Sequence, residues 1–171
     1  MTKTVPTFQV VGYRNSGKTT VMQALIHYFT NQSLAVGTIK HHGHGSELQF
    51  PVATDSGKHY AAGAMVSAVH GEHELQLFMN KHETDTLEKL IKWYHSFPVD
   101  LILIEGHKLA NYPKMVLLRN RSDYRLLEQL TNIHLVGSLD KDLLEGLPYE
   151  TFSLNNVEEV LPLISRHIIV E

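Results

Sequence analysis

The chain has 171 residues, of which 43% are hydrophobic and 19% charged; its net charge is −3 and it contains no cysteine. That length suits one soluble domain with a real core. The acidic balance argues against a nucleic-acid or membrane-surface binder, and the missing thiols exclude disulfides and thiolate metal sites and suit a reducing cytoplasm.

After "MTKTVPT" the chain is expected to run directly into an apolar strand, with no leader-type basic segment, long apolar stretch and cleavage site. Residues 7–11, "TFQVV", read as a short buried strand, 12–17 as a loop, and a helix should begin near Lys18. Val21, Ala24, Leu25 and Tyr28 fall at i, i+3, i+4 and i+7 and give that helix one apolar face. "NQS" closes it, and "LAVGTIK" (34–40) is the second strand. A long Gly- and His-rich loop and a short helical piece, "KHYAAGA", come next. "MVSAVHG" and "ELQLFMN" look like two strands with a tight turn near Gly71, Glu72 and His73. In "TDTLEKLIKWYHSF", Leu87, Leu90, Ile91 and Tyr94 share a helical face, Glu88 can pair with Lys92, and Thr84 or Asp85 would cap.

"VDLILIEG" (99–106) is nearly all apolar and ends in an acid, as a strand buried on both faces should; its "LILI" is far too short to cross a bilayer. "KMVLLR" and "IHLVGS" are further strands. The closing helix, "NNVEEVLPLISRHII", carries Glu158 and Glu159 in its first turn and Arg166 and His167 in its last, matching the helix dipole. Strands alternating with helices imply an α/β fold with a mostly parallel sheet covered by helices on both faces. With no internal repeat or linker-like tract, residues 1–171 read as a single domain.

"GYRNSGKT" (12–19) fits G-x-x-x-x-G-K-[ST] between a strand and an amphipathic helix, the context that separates a phosphate-binding P-loop from a chance match. Gly12 permits the sharp exit from the strand, and Gly17 lets the backbone approach an oxygen-bearing ligand. The N–H groups of Tyr13, Arg14, Asn15, Ser16 and Gly17, with the helix start at Lys18, form a concave anion site. Lys18 would reach the β- and γ-phosphates, Thr19 would be a ligand of Mg²⁺, and Thr20 can bond a more internal phosphate. The fold is thus expected to be of the P-loop NTPase type.

Mg²⁺ needs a further oxygen, usually a carboxylate at the end of a neighbouring strand. Glu105, which ends "LILIE", is the best candidate and could also orient a nucleophilic water; a plain loop cap is the alternative. Asp55 is a weaker candidate for metal or general base and reads as well as the N-cap of its helix. Twelve histidines are the one compositional oddity. His41, His42 and His44, beyond the second strand, could hold a transition metal. Lys40 and His41 could instead meet phosphate or a partner's anionic group, or the loop could simply be polar. His59 could face the same cleft. Lys108, Lys114 and Arg119 make a basic cluster for an anionic ligand or an acidic partner, or an ordinary solvated face. In "VGSLDKD", Asp140 matches the acid of a guanine-recognition loop, but Gly137 and Ser138 do not match its other positions.

Taken in order, "GYRNSGKTT", "TIKHHGH", "DSGKHYAAGA", "LILIEGHK" and "YPKMVLLR" resemble the MobB family of molybdopterin-guanine dinucleotide biosynthesis proteins, over roughly residues 7–120. The resemblance implies a dimeric, cytoplasmic P-loop protein that binds GTP and Mg²⁺, with at most slow hydrolysis. It also implies partnership with a MobA-like guanylyltransferase and with molybdopterin or its guanine dinucleotide. By the same resemblance Gly12 to Thr20 would hold phosphates, with Lys18 and Glu105 in any catalysis and Thr19 and Glu105 on Mg²⁺. Lys40, His41, Asp55, His59, Lys108, Lys114 and Arg119 would line the cleft or the partner surface. Tyr13 stands where some P-loop relatives carry a lysine, which leaves Arg14 as the nearest substitute. Two other readings stay open: a small-molecule kinase with "RNRSDYR" as its lid, and an interaction module that holds phosphate without turnover.

Overall fold

The computed structural model describes residues 5–43, 53–80 and 86–169. Eight strands form in chain order: β1 (Thr7–Gly12), β2 (Val36–Lys40), β3 (Val66–His70), β4 (Leu75–Met79), β5 (Leu101–Glu105), β6 (Lys114–Leu118), β7 (Ile133–Ser138) and β8 (Glu150–Ser153). The α-helices are α1 (Lys18–Thr30), α2 (Asp55–Ala61), α3 (Leu87–Tyr94), α4 (Arg125–Gln129) and α5 (Val157–Ile168). These elements divide into two compact units, one of residues 5–43 and 91–169 and the other of residues 53–80 and 86–90.

In the larger unit six strands lie in the order β2-β5-β1-β6-β7-β8, and every neighbouring pair is parallel. Side chains alternate across a strand, so β5 and β6, buried on both faces, must be apolar at nearly every position. Phe8, Val10, Leu101, Leu103, Met115 and Leu117 face one side and pack against Val21, Leu25 and Phe29 of α1 and Leu161, Ile164 and Ile168 of α5. Val11, Val116, Leu118 and Val136 face the other and pack against Leu126 and Leu130 of the α4 region. β1 therefore exits toward one face and β6 toward the other. The crevice between two such exits is where open α/β sheets place ligands.

Several elements escape the sequence reading, β8 and α4 among them. The four residues of β8 carry one fully inward side chain, Phe152, whose ring lies so close to Gly137 that an added Cβ would meet it. "RNRSDYR" folds as a short 3₁₀ turn (Arg121–Tyr124) leading into α4. Asp123 is fully buried there, and the Tyr124 hydroxyl donates to the Leu143 carbonyl at 3.0 Å.

The smaller unit contains the expected hairpin, β3 antiparallel to β4 from Val66 opposite Met79 to His70 opposite Leu75. Its turn closes with Gly71 N–H donating to the Glu74 carbonyl at 2.8 Å. Helix α2 is capped by Thr54, whose hydroxyl accepts from Gly57 N–H at 3.1 Å, so Asp55 is its first residue rather than its cap. The hairpin leaves Met65, Val66, Val69, Leu75, Leu77 and Met79 between 39% and 62% exposed. The proposed caps Thr84 and Asp85 lie outside the described residues; the Thr86 hydroxyl accepts from Lys89 N–H at 3.4 Å. Among the described residues no helix is long and apolar enough to cross a membrane.

Candidate functional site

The loop after β1 has the backbone its sequence calls for. Asn15 and Gly17 both adopt left-handed conformations, with φ of 62° and 87°. Gly12 must lack a side chain, because a Cβ there would meet Ser16 Oγ and lie 2.9 Å from the Leu117 carbonyl oxygen. The Ser16 hydroxyl is buried and, among the described residues, has no hydrogen-bond partner. A buried polar atom left unmatched inside a turn of this kind fits a loop that receives further polar groups. Helix α1 starts at Lys18 with no side-chain cap, so its first N–H groups are available to an anion. The Lys18 ammonium arches back across the loop and donates to the Tyr13 carbonyl at 2.6 Å. Its pKa lies below the ordinary value, chiefly through burial; Glu105 opposes the shift, and Lys108, Lys40 and Arg119 add to it. Thr19 and Thr20 are exposed in the first turn.

Glu105 sits on the strand next to β1, with Val10 as its register partner. Its carboxylate is 3.5 Å from the Thr19 hydroxyl and 3.1 Å from the Lys40 ammonium at the end of β2. Three residues singled out from the sequence thus meet at one sheet edge. His41 follows, its N–H donating to the Glu105 carbonyl at 2.9 Å and its ring 4.4 Å from that of His107. Among the described residues no three His, Asp or Glu side chains gather as a metal site, and His44 lies outside them.

Gln9 escaped the sequence reading. It is fully buried in the middle of β1, and its amide donates to the Gly106 and His107 carbonyls at 3.0 and 2.9 Å. Its oxygen accepts from Tyr112 N–H at 3.3 Å. Gly106 and His107 both hold left-handed backbones, at φ of 95° and 51°. Gln9 therefore pins the turn that carries Glu105 at one end and Lys108 near its middle. The signal was present: a Gln surrounded by apolar residues in a buried strand must find partners.

The basic residues separate into different roles. Arg119 grips Asp123 with Nε and Nη2, at 2.8 and 2.9 Å, and its Nη1 donates to the Arg14 carbonyl at 2.9 Å. It thus braces the P-loop from behind, and its guanidinium holds the Asp123 carboxyl below the usual carboxylate range. Lys108 lies 4.0 Å above the Tyr13 ring, and Arg125 and Arg119 lie 4.9 and 5.1 Å from the same centroid. Lys114 is not brought to this edge. It is fully buried at the start of β6 and donates to the Ala110 and Thr131 carbonyls at 2.8 and 2.6 Å. Asp55 and His59 belong to the smaller unit, where both are exposed and Asp55 pairs with Lys58 at 2.8 Å. Asp140 accepts from Asp142 N–H at 3.1 Å and so caps a short 3₁₀ turn.

Comparison with known proteins follows the same outline. The family model described as MobB, molybdopterin guanine dinucleotide synthesis protein B, matches residues 7–138. A Bacillus subtilis (strain 168) protein named probable molybdopterin-guanine dinucleotide biosynthesis adapter protein is 38% identical over 146 residues, 84% of this chain and 83% of its own. The molybdopterin-guanine dinucleotide biosynthesis adapter protein of Escherichia coli (strain K12) is 26% identical over 156 residues, 90% of this chain and 88% of its own. The crystal structure of Bacillus subtilis MobB superposes with a TM-score of 0.81 at 36% identity, covering 97% of this chain and 99% of that one.

Proposed function

Since the chain belongs to the MobB family, we propose that it is a GTP-binding accessory protein of molybdenum-cofactor biosynthesis, serving the molybdopterin guanine dinucleotide step. The relatives' names supply the pathway. One observation carries the chemistry: a P-loop whose Thr19 hydroxyl lies 3.5 Å from the carboxylate that ends the adjacent strand.

In this reading the N–H groups of 13–19 hold the polyphosphate and Lys18 supplies charge to its outer oxygens. Hydroxyl plus carboxylate is a hard, all-oxygen donor pair, which suits Mg²⁺ better than a softer metal. Thr19 and Glu105 would hold that ion, which neutralises charge on the outer phosphate oxygens. Asp55, exposed and paired with Lys58, has no comparable support as a ligand. Fast phosphoryl transfer needs a positioned nucleophile and an additional cation together. Arg119 is committed to Asp123 and to the loop backbone, which favours binding with at most slow hydrolysis.

The kinase alternative needs a mobile arginine-bearing lid. Its one candidate segment is anchored instead by buried Asp123 and Leu126. The accessory reading also takes in a MobA-like guanylyltransferase and molybdopterin, or its guanine dinucleotide, as partners. A homodimer is part of it as well, supported by the apolar side chains that the β3–β4 hairpin leaves exposed. Calorimetric titration with GTP and ATP, each with and without Mg²⁺, tests the core of the proposal. Mg²⁺-dependent preference for GTP that disappears in Lys18→Ala is the expected result; preference for ATP would return the kinase reading to the front.

A further inference from the structure

Three cations surround one aromatic ring beside the P-loop: Lys108, Arg125 and Arg119 lie 4.0, 4.9 and 5.1 Å from the Tyr13 centroid. Like charges do not collect without compensation. A ring face attracts a cation only weakly, and the carboxylate at hand is Asp123. Both of its oxygens are already taken: Oδ2 accepts from Arg119 Nε and backbone N–H at 2.8 and 3.0 Å, and Oδ1 from Nη2 at 2.9 Å. The remaining Arg119 nitrogen, Nη1, is spent on the Arg14 carbonyl. Every Arg119 nitrogen is therefore engaged, and its orientation is fixed by Asp123 and the loop backbone. The side chains of Lys108 and Arg125 make no hydrogen bond or ion pair among the described residues and touch the Tyr13 ring. Burial, then Arg119 and Arg125, push the Lys108 pKa down, and Asp123 opposes them only in part.

Both free cations stand on fixed supports. Arg125 is the first residue of α4, whose Leu126 is buried, and Lys108 lies within the turn that Gln9 holds at Gly106, His107 and Tyr112. Tyr13 divides the region in two. Its carbonyl faces the cradle, where Lys18 reaches it, whereas its ring packs with Val11, Leu118 and Leu126 on the α4 face of the sheet.

We propose that Lys108 and Arg125, set around the Tyr13 ring, form a second anion site distinct from the phosphate cradle, and that it takes a phosphate monoester. Two unspent positive charges match one dianion; a phosphate monoester carries about −1.5 to −2 near neutral pH, and a carboxylate would leave one cation unpaired. A guanidinium fork beside a compact ammonium also suits a tetrahedral oxyanion. The inference extends the nucleotide reading by giving the protein a second, phosphorylated ligand on the opposite side of Tyr13. It rests on that reading only in having the cradle filled by nucleotide.

The test is titration of the full chain, saturated with GDP and Mg²⁺, with phenyl phosphate. One binding event is expected, weakened at least tenfold by Arg125→Ala and by Lys108→Ala and less by Arg125→Lys. Lys18→Ala without nucleotide should still bind the probe, and more tightly than Arg125→Ala does, since Lys18 bonds the Tyr13 carbonyl rather than its ring and acts on Lys108 only through the field. Circular dichroism verifies the fold of each variant. Binding confined to the nucleotide-free wild type would show that the cradle was the site and would overturn the proposal. Unchanged affinity in Arg125→Ala would do the same, as would a hexaglutamate peptide that binds as tightly as the probe. If the wild type bound no nucleotide, the proposed function would fail, and the Lys18→Ala titration would still decide this site by itself.

Discussion

Replacing Gln9 by leucine tests whether one buried amide organises the Glu105–Lys108 turn. Leucine keeps most of the volume, so little cavity cost is added and the effect reports on polar groups. Three hydrogen bonds disappear, leaving two carbonyls and one N–H of a partly buried segment without that partner. A net contribution of about 1 kcal/mol per bond gives a destabilisation of roughly 3 kcal/mol. For a chain of this length that corresponds to a fall in Tm of roughly 6–12 °C. Urea unfolding followed by far-UV circular dichroism should show a lower midpoint at unchanged slope. Gln9→Glu should be worse than leucine, because it brings a charge against the Gly106 and His107 carbonyls while still accepting from Tyr112. A Gln9→Leu protein within about 0.5 kcal/mol of wild type, the range of ordinary surface substitutions, would refute the reasoning and assign the turn's order to other contacts.

Glu105→Gln should lower Mg²⁺-dependent nucleotide affinity at least tenfold while costing less than about 1 kcal/mol of stability, since its Lys40 partner is largely exposed; calorimetry and a melt on one sample separate the two. Nucleotide affinity should also fall on the alkaline side. The Lys18 pKa in the free protein is below 10.5, mainly through burial. Bound phosphate favours the charged form and raises that pKa, so affinity is full below the free-protein pKa and is lost as pH rises through it. Titrations at rising pH should show the decline beginning before 10.5 in wild type, and a profile matching that of Lys18→Ala would contradict it. Gly137→Ala should destabilise by about 1–3 kcal/mol through overpacking, because its Cβ would lie 2.8 Å from atoms of the Phe152 ring; an unchanged urea midpoint would show that the ring yields freely.

What could be read from the sequence was local. The P-loop is a contiguous string whose glycines, lysine and threonine act within one turn, and the run "LILIE" marks a buried strand together with the acid that ends it. The hairpin was legible for the same reason. Gln9 was not, because its partners lie 97 to 103 residues away and only the parallel pairing of β1 with β5 brings them near. Lys114 looked like one of several basic side chains near a cleft. Yet it opens β6 rather than following it, so it lies toward the opposite end of the strand from the ligand edge and spends its ammonium on two carbonyls. Composition could not tell "RNRSDYR" as a lid from the same segment as an anchor; burial of Asp123 decided it. The ring of cations at Tyr13 draws on β1, β5, β6 and α4, and no linear spacing announces such a meeting.

Charge shows most clearly why composition and site must be weighed at different scales. A chain of net charge −3 argues properly against binding a long polyanion, which rewards a basic excess spread over a surface. A nucleotide carries few charges and needs an excess only where it sits. Lys18, Lys40, Lys108, Arg119 and Arg125 gather around the end of β1, against Glu105 and Asp123. The lowered pKa of Lys18 expresses its burial first and the neighbouring cations second; on the proposed reading an incoming phosphate offsets both. Glu105 cannot balance the set, since Lys40 already claims its carboxylate and Thr19 competes for the same oxygens. Asp123 cannot either, because it is consumed in fixing Arg119. Among the described residues, then, the cations outnumber the carboxylates beside them, and on the proposed reading bound anions on the two sides of Tyr13 balance the set.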